Sequence, residues 1–345
     1  MDKIKVGIIG VGKMGRTHIN GLGDVPESEV VAINDPANLG NTGPELAKEY
    51  GLDYENNIES LISRSDINAV VIATPHSLHA EHSLLAMNAG KHVLCEKPME
   101  VTLEKCDKMI AAAKEKKVKL MIAQSHRYWK GDQVAKSLLD EGAIGKIITC
   151  RDTLTSPGYR KINSDNPLWM FDLNLYSKGG FIAWGIHDID RLRWLLNSEA
   201  EQVFARSYNL RTDIKNDITT NSIMITFKNN TTVHMWYSQA LPAPGWERTN
   251  CSMQIIGDEG LIDFDPYESV KIARKKTKQW ETVYEFGDFA EERQKAFSSE
   301  DRDFIKSIVE DKTPPVTGED GRKAVEIVLA AYKSSEIKDV VNLPL

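Results

Sequence analysis

The sequence is poor in the features that would fix a protein's class at a glance. Its four cysteines, Cys95, Cys106, Cys150 and Cys251, are scattered over 345 residues with no C-x-x-C pair and no zinc-ligand spacing. That scatter argues against a disulfide framework and for reduced structural thiols, with no metal site expected. The longest apolar runs, Val6–Gly12, Ala69–Ala73 and Ile327–Ala331, fall far short of the ~20 residues needed to cross a bilayer. The opening Met-Asp-Lys-Ile-Lys leads straight into a strand-like run and lacks the apolar stretch and cleavage site of a signal peptide. A cytoplasmic location is therefore expected. Basic residues do not dominate: 43 Lys and Arg face 50 Asp and Glu, a net charge of −7. Such a balance argues against the whole chain gripping nucleic acid or an anionic membrane. There is no internal repeat and no low-complexity segment.

What is present suits a globular chain. The apolar share of 41% leaves ample material for a core, and the length predicts two domains at roughly 100–200 residues each. In the first third, strand-like runs at Lys5–Ile9, Glu29–Asn34, Ala69–Ala73, His92–Cys95 and Val118–Ala123 alternate with helical patterns. That alternation predicts βαβ units and a parallel sheet. Thr102 is placed to cap a helix running through Lys116. After a helical block over 179–196, β-rich runs recur at Gln202–Tyr208, Thr219–Phe227, Thr232–Ser238, Cys251–Ile256 and Trp280–Phe286. No helix of crossover length separates them, which predicts an antiparallel sheet. Two closing helices are expected at Phe289–Glu310 and Thr317–Ser335.

Gly10-x-Gly12-x-x-Gly15 lies between the first strand and the first helix. Gly10 permits the tight turn, Gly12 lets a pyrophosphate approach the backbone, and Gly15 allows close helix–strand packing. The helix N-terminus then offers unpaired N–H groups to the phosphates. Asp35, at the end of the second strand, is placed to accept hydrogen bonds from ribose hydroxyls. The next residues, Pro36-Ala37-Asn38, include no Arg or Lys for a 2′-phosphate, which favours NAD over NADP. The blander alternative is a glycine turn beside a surface Asp.

Two more segments follow strands, where a doubly wound sheet places its ligand crevice. Ala73-Thr74-Pro75-His76 follows one, and His76, His79 and His82 then recur every three residues. Without a carboxylate or Cys partner they read as polar residues of a loop and helix start rather than metal ligands. Cys95-Glu96-Lys97-Pro98 follows the next strand. Lys97 there is either a solvated surface cation or a proton-transfer group with a pKa lowered by partial burial.

Taken together these motifs are similar to those of the glucose–fructose oxidoreductase/inositol dehydrogenase/MocA (Gfo/Idh/MocA) family. The resemblance continues through Gly90–Pro98, Gly179-Gly180, Gly185-Ile186-His187-Asp188-Ile189-Asp190 and Gly318-Glu319-Asp320-Gly321, spanning nearly the whole chain. It implies an α/β Rossmann domain at 1–124, completed by the segment from about 300 to 345, and an α+β domain at 125–299 with an open-faced, mainly antiparallel sheet. It implies NAD-dependent hydride transfer to or from a secondary alcohol of a sugar, inositol or related polyol. Lys97 and His187 are then the catalytic pair. Cofactor contacts are expected from Gly10, Gly12, Lys13, Met14, Gly15, Asp35, Thr74, Pro75, His76, His79, Glu96 and Lys97. Substrate contacts are expected from Lys97, Arg127, Asp172 and His187.

In such proteins the Lys-Pro bond is often cis, which carries over to Lys97–Pro98. They also imply a homodimer or homotetramer packed through the open sheet. Many members have Asp four residues before the helix His; here that residue is Ala183. Without that carboxylate, Lys97 is expected to carry proton transfer and His187 mainly to position the substrate. Softer candidates are Gln124 and His126, after a strand, and the aromatics Tyr159, Trp169 and Trp246. Two other readings stay open: glycoside cleavage by transient oxidation, and a silent dinucleotide-binding sensor.

Overall fold

The computed structural model describes residues 3–35, 43–157, 168–176, 180–210, 218–242 and 251–345. The chain divides into two compact units. One takes residues 1–125, 161–177 and 294–325, the other 126–160, 178–293 and 326–345.

The first unit opens with β1 (Ile4–Ile9), α1 (Lys13–Gly23), β2 (Ser28–Asn34), α2 (Gly43–Tyr50), β3 (Asp53–Tyr54) and α3 (Ile58–Ser63). It continues with β4 (Ala69–Ile72), α4 (His79–Asn88), β5 (His92–Glu96), α5 (Leu103–Lys116) and β6 (Leu120–Ala123). The six strands are all parallel, in the order β3-β2-β1-β4-β5-β6. β4 and β6 are buried along their whole length, as their unbroken apolar sequences require of strands covered on both faces. Thr102 caps α5 by accepting from the Lys105 N–H. The strand order reverses between β1 and β4, so the loops after these two strands flank the switch point where such sheets bind ligands.

The second unit begins with α6 (Lys130–Asp140) and β7 (Ile147–Pro157). A short helix, α7 (Leu173–Tyr176), falls in the first unit; α8 (Ile186–Leu196) returns to the second. Strands β8 (Ala200–Tyr208), β9 (Thr220–Phe227), β10 (Thr232–Leu241), β11 (Cys251–Gly257), β12 (Gly260–Asp265), β13 (Ser269–Arg274) and β14 (Trp280–Glu285) follow. The chain closes with α9 (Phe289–Val309), α10 (Gly318–Ile337) and β15 (Val341–Asn342). The nine-stranded sheet has the order β14-β13-β12-β11-β7-β10-β9-β8-β15.

The sheet is mainly antiparallel, as expected, with one parallel pair: β10 runs parallel to β7, with Val233 beside Cys150 and Met235 beside Asp152. The helix α8 between β7 and β8 supplies the crossover that a parallel pair demands. The short strands β12 and β13 add to the β-rich runs expected from the sequence. The alternation at 222–227 does sort the residues by face. Ile223, Ile225 and Phe227 are buried; Ser222 and Met224 are exposed.

A charge cluster sits inside this apolar layer. Arg191 of α8 has no exposed surface, and nor do Asp132, Asp152 and Asp188 around it. Its guanidinium lies 3.3 Å from Asp132, 3.5 Å from Asp152 and in direct hydrogen-bond contact with Asp188. Three carboxylates on one cation cannot all ionise cheaply in the interior. Burial pushes Asp132 up to about 7 against the pull of Arg191, and raises Asp152 and Asp188 as well. Carboxyl groups raised in this way hold protons that the unfolded chain has already released. Their contribution to stability is therefore lost as pH rises from the ordinary Asp range through about 7. Urea unfolding of the protein should show stability falling between about pH 4 and 7 and levelling off above that. Asp132→Asn should flatten that fall; an equally steep fall in the variant would contradict the assignment.

Candidate active site

The turn between β1 and α1 is built by its glycines. Gly10 sits at φ +89°, where a Cβ would also lie 2.6 Å from the Ala73 carbonyl oxygen. A Cβ on Gly15 would come within 2.0 Å of the Gly10 carbonyl oxygen, so the helix closes directly onto the turn. Gly12 differs: a Cβ there would meet nothing within 4 Å, and the residue is exposed. The α1 N-terminus has no side-chain cap and no acidic residue in its first turn, where Lys13 and Met14 sit. An open backbone at Gly12 and uncapped N–H groups fit a pyrophosphate. Asp35 follows β2, and its Oδ1 accepts the Val11 N–H at 3.2 Å. Burial raises its pKa, opposed by the Val11 hydrogen bond and then by Arg16. The chain thus fits a dinucleotide held across Gly12 and Asp35. Pro36, Ala37 and Asn38 lie outside the described residues.

The loops after β4 and β5 are pinned from beneath. Thr74 Oγ1 is 2.9 Å from His82 Nδ1, and burial, then His79, lowers His82 to about 4. His79 places Nδ1 2.7 Å from the Pro98 carbonyl oxygen and Nε2 2.8 Å from that of Thr74. It has no exposed surface. His79 thus ties the two loops together. His76 Nδ1 donates to the Tyr176 carbonyl at 2.9 Å, and its ring packs against Trp169 and Tyr176. Pro75 is buried beside it.

The Glu96 carboxylate holds its loop together. Oε2 accepts the Lys97 N–H at 3.0 Å, and Oε1 lies 3.2 Å from His18 Nε2. His18 Nδ1 in turn lies 2.7 Å from Asp301 Oδ1. Burial alone would lower the His18 pKa, but Asp301 and then Glu96 outweigh it and hold His18 well above its ordinary value. Lys97 is half-buried, and its bond to Pro98 is cis. His18 and Asp301 were not singled out from the sequence. The only sign was a histidine three residues beyond Gly15, on the buried face of α1.

In the second unit, His187 lies near the start of α8, directly after a π-helical turn at Phe181–Gly185. The expected four-residue helical register between Ala183 and His187 is therefore interrupted. A π turn carries i→i+5 bonds and often marks a functional segment. His187 stacks on His126 with ring centroids 4.2 Å apart and planes 9° apart. His126 Nε2 is 3.0 Å from the Tyr267 hydroxyl. Asp188 faces Arg191, as described, and Asp190 takes both Arg127 bonds at 2.7 and 2.6 Å. The Arg127 fork is thus engaged by a carboxylate of its own unit. Asp172, in the first unit, is exposed, and its Oδ1 accepts the Asn174 N–H at 2.9 Å. Gln124 is buried at the end of β6. Tyr159 and Trp246 lie outside the described residues.

All four cysteines are free and buried. Among the described residues no group of three or more His, Cys, Asp or Glu could hold a metal ion, and no helix is long and apolar enough to cross a membrane.

A doubly wound parallel sheet with this turn, this helix N-terminus and this buried acid defines a dinucleotide-binding oxidoreductase fold. Comparison with known proteins makes the class specific. Residues 4–124 match the model of the Gfo/Idh/MocA oxidoreductase family with its NAD-binding Rossmann fold. Residues 133–263 match the Gfo/Idh/MocA C-terminal domain. The chain belongs to the Gfo/Idh/MocA family and carries its NAD-binding domain.

The chain is 27% identical to myo-inositol 2-dehydrogenase of Thermotoga maritima over 345 residues, 99% of this chain and 98% of that protein. It is 35% identical to levoglucosan dehydrogenase of Pseudarthrobacter phenanthrenivorans over 204 residues, 57% of this chain and 52% of that one. The structure of myo-inositol 2-dehydrogenase from Lactobacillus plantarum matches with a TM-score of 0.82 at 26% identity, covering 99% of this chain and 100% of that one.

The Asp35 carboxylate should repel a 2′-phosphate and bind a free ribose diol. Fluorescence titration is expected to give tighter binding of NAD than of NADP, and Asp35→Ser should narrow the difference. Equal or tighter NADP binding by the unaltered protein would contradict this.

Proposed function

We propose that the protein is an NAD-dependent dehydrogenase of a secondary alcohol on a sugar, inositol or related polyol. The observation that carries this reading is Lys97. It is half-buried and directly follows Glu96, whose carboxylate is fixed by the Lys97 N–H on one side and by buried His18 on the other. A cation set on so firmly held a loop at the carboxyl end of a Rossmann strand suits an alcohol oxygen that must gain or lose a proton. NAD, when bound, supplies the hydride acceptor or donor. Gly12, the α1 N-terminus and Asp35 hold the cofactor. Lys97 carries proton transfer, and His187 orients the substrate oxygen by hydrogen bonding. Arg127 and Asp172, each also bonded to a neighbour in its own unit, are the further substrate contacts.

The names of the two sequence relatives support polyols and anhydro-sugars as the substrate class. A panel of inositols, aldoses and anhydro-sugars, assayed by NADH absorbance, tests the reading. No NADH from any of them would count against it. Cleavage or hydration of a sugar without net NADH would identify transient oxidation instead. On the best substrate, Lys97→Met should lower kcat by roughly 10²–10⁴-fold, the usual loss for a general acid–base group. His187→Asn should mainly raise KM. Abolished turnover in His187→Asn with most of it retained in Lys97→Met would reverse the roles.

The same resemblance supports self-association. The solvent-facing side of the nine-stranded sheet carries Ile256, Leu261, Ala273 and Trp280 in one row, each beside the next across β11 to β14. Three of them are exposed large apolar residues. We assign this face to a second copy of the chain, giving a homodimer or homotetramer. Light scattering at micromolar concentration should return a multiple of the monomer mass; a monomer would contradict it.

A further inference from the structure

The proposed substrate-facing imidazole of His187 does not stand alone, and the ring beside it has no assigned part. His126 and His187 are nearly coplanar in orientation, 9° apart, with centroids at 4.2 Å. Both are buried, at 7% and 6% exposure. His126 is itself held from a third element: Tyr267, in the turn between β12 and β13, sets its hydroxyl 3.0 Å from Nε2. The Tyr267 ring packs edge-on against Trp129 at 5.0 Å, and Trp129 stacks with Phe286 at 5.9 Å. A continuous file of flat side chains therefore runs from the aromatic cluster to His187. Burial drives the Tyr267 hydroxyl well above its ordinary pKa, so it stays a neutral phenol.

An imidazole has two torsions to fix: χ1, set by the helix, and χ2, which is broad for a ring on an sp² carbon. A parallel ring at stacking distance restricts χ2. A carboxylate on the preceding turn could do so by hydrogen bonding, but that position is occupied by Ala183, inside the π turn. We propose that His126, anchored by Tyr267, is a positioning residue that fixes the ring plane of His187. The inference rests on the reading of His187 as a substrate-orienting group.

The test uses the full-length protein with NAD and the best polyol of the panel. His126→Ala should lower kcat/KM by roughly 10- to 100-fold, the scale of a slightly misplaced reacting group. NAD affinity should not change. His126→Phe keeps a flat ring in the stack and should recover most of the loss, whereas His126→Leu, similar in bulk but not planar, should not. Tyr267→Phe should lower kcat/KM in the same direction through the lost anchor.

Recovery by Leu equal to that by Phe would reduce the role to space filling and overturn the proposal. So would unaltered kinetics in His126→Ala, or a Phe variant no better than Ala. If no polyol is oxidised by the unaltered protein, the dehydrogenase reading fails on its own. The ring contact is then read directly from the His187 imidazole proton shifts. These should move downfield in His126→Leu as the neighbouring ring current is lost and stay near their original values in His126→Phe. Unmoved shifts in the Leu variant would overturn the proposal independently of activity.

Discussion

The first unit depends on one buried histidine. His18 lies between Asp301 and Glu96, all three out of water, and draws together the first helix, the fifth strand and α9 across a sequence separation of 283 residues. Each member would be costly alone. An imidazolium without its carboxylates would release its proton, and either carboxylate without the imidazolium would be an unpaired buried charge worth about 3–5 kcal/mol of destabilisation. One cation between two anions leaves an excess negative charge. Accordingly Asp301 is raised, chiefly by burial, while Glu96, with the Lys97 charge also acting on it, is lowered against burial. The three titrate together, and the proton belongs to the group rather than to one residue. Glu96 is thereby kept ionised and fixed, and it is Glu96 that takes the Lys97 N–H.

The second unit solves an analogous problem around α8. Ten of the eleven residues of that helix are buried, including His187, Asp188, Asp190, Arg191 and Arg193. A helix so enclosed carries polar side chains only if each finds a partner inside. Asp188 takes Arg191, Asp190 takes Arg127, and Arg193 reaches Glu199. These pairings contribute little net stability over an apolar core of equal shape, because desolvation offsets most of the attraction. What they fix is the rotation of the helix about its own axis. Turning α8 would break the bonds to residues off the helix, those of Arg191 to Asp132 and Asp152, of Asp190 to Arg127 and of Arg193 to Glu199, and His187 turns with it.

The local part of this arrangement was legible in the sequence. The glycine turn, the Thr102 cap and the two-residue alternation at 222–227 are patterns within a few residues of one another, and such patterns survive without knowledge of the fold. The parallel Rossmann sheet followed from strand–helix alternation for the same reason. What was illegible is non-local or irregular. The pairing of His18 with Asp301 and of Arg127 with Asp190 spans hundreds or tens of residues, and neither partner has a local signature. The strands β12 and β13 are six residues each and carry Asp263 and Lys271 on their outer faces, so each offers only a short, charge-interrupted apolar alternation. The π turn at Phe181–Gly185 changes the register before His187, and apolar spacing does not distinguish it from an ordinary turn. The two carbonyl contacts of His79 were equally illegible, because three-residue spacing does not show what a ring faces.

Replacing a carboxylate by a stacked ring changes what is held constant at His187. A neighbouring carboxylate fixes orientation and favours the imidazolium in one stroke, so position and charge vary together. A parallel imidazole fixes orientation, while a second positive charge at 4.2 Å would oppose protonating both rings. That division fits the roles proposed above for Lys97, on the loop braced by Glu96 and His18, and for His187. In such a design a buried charge group belongs beneath the Lys97 loop, and flat packing belongs beside His187. That is where the structure places the buried His18 group and the file of rings from Trp129 to His126.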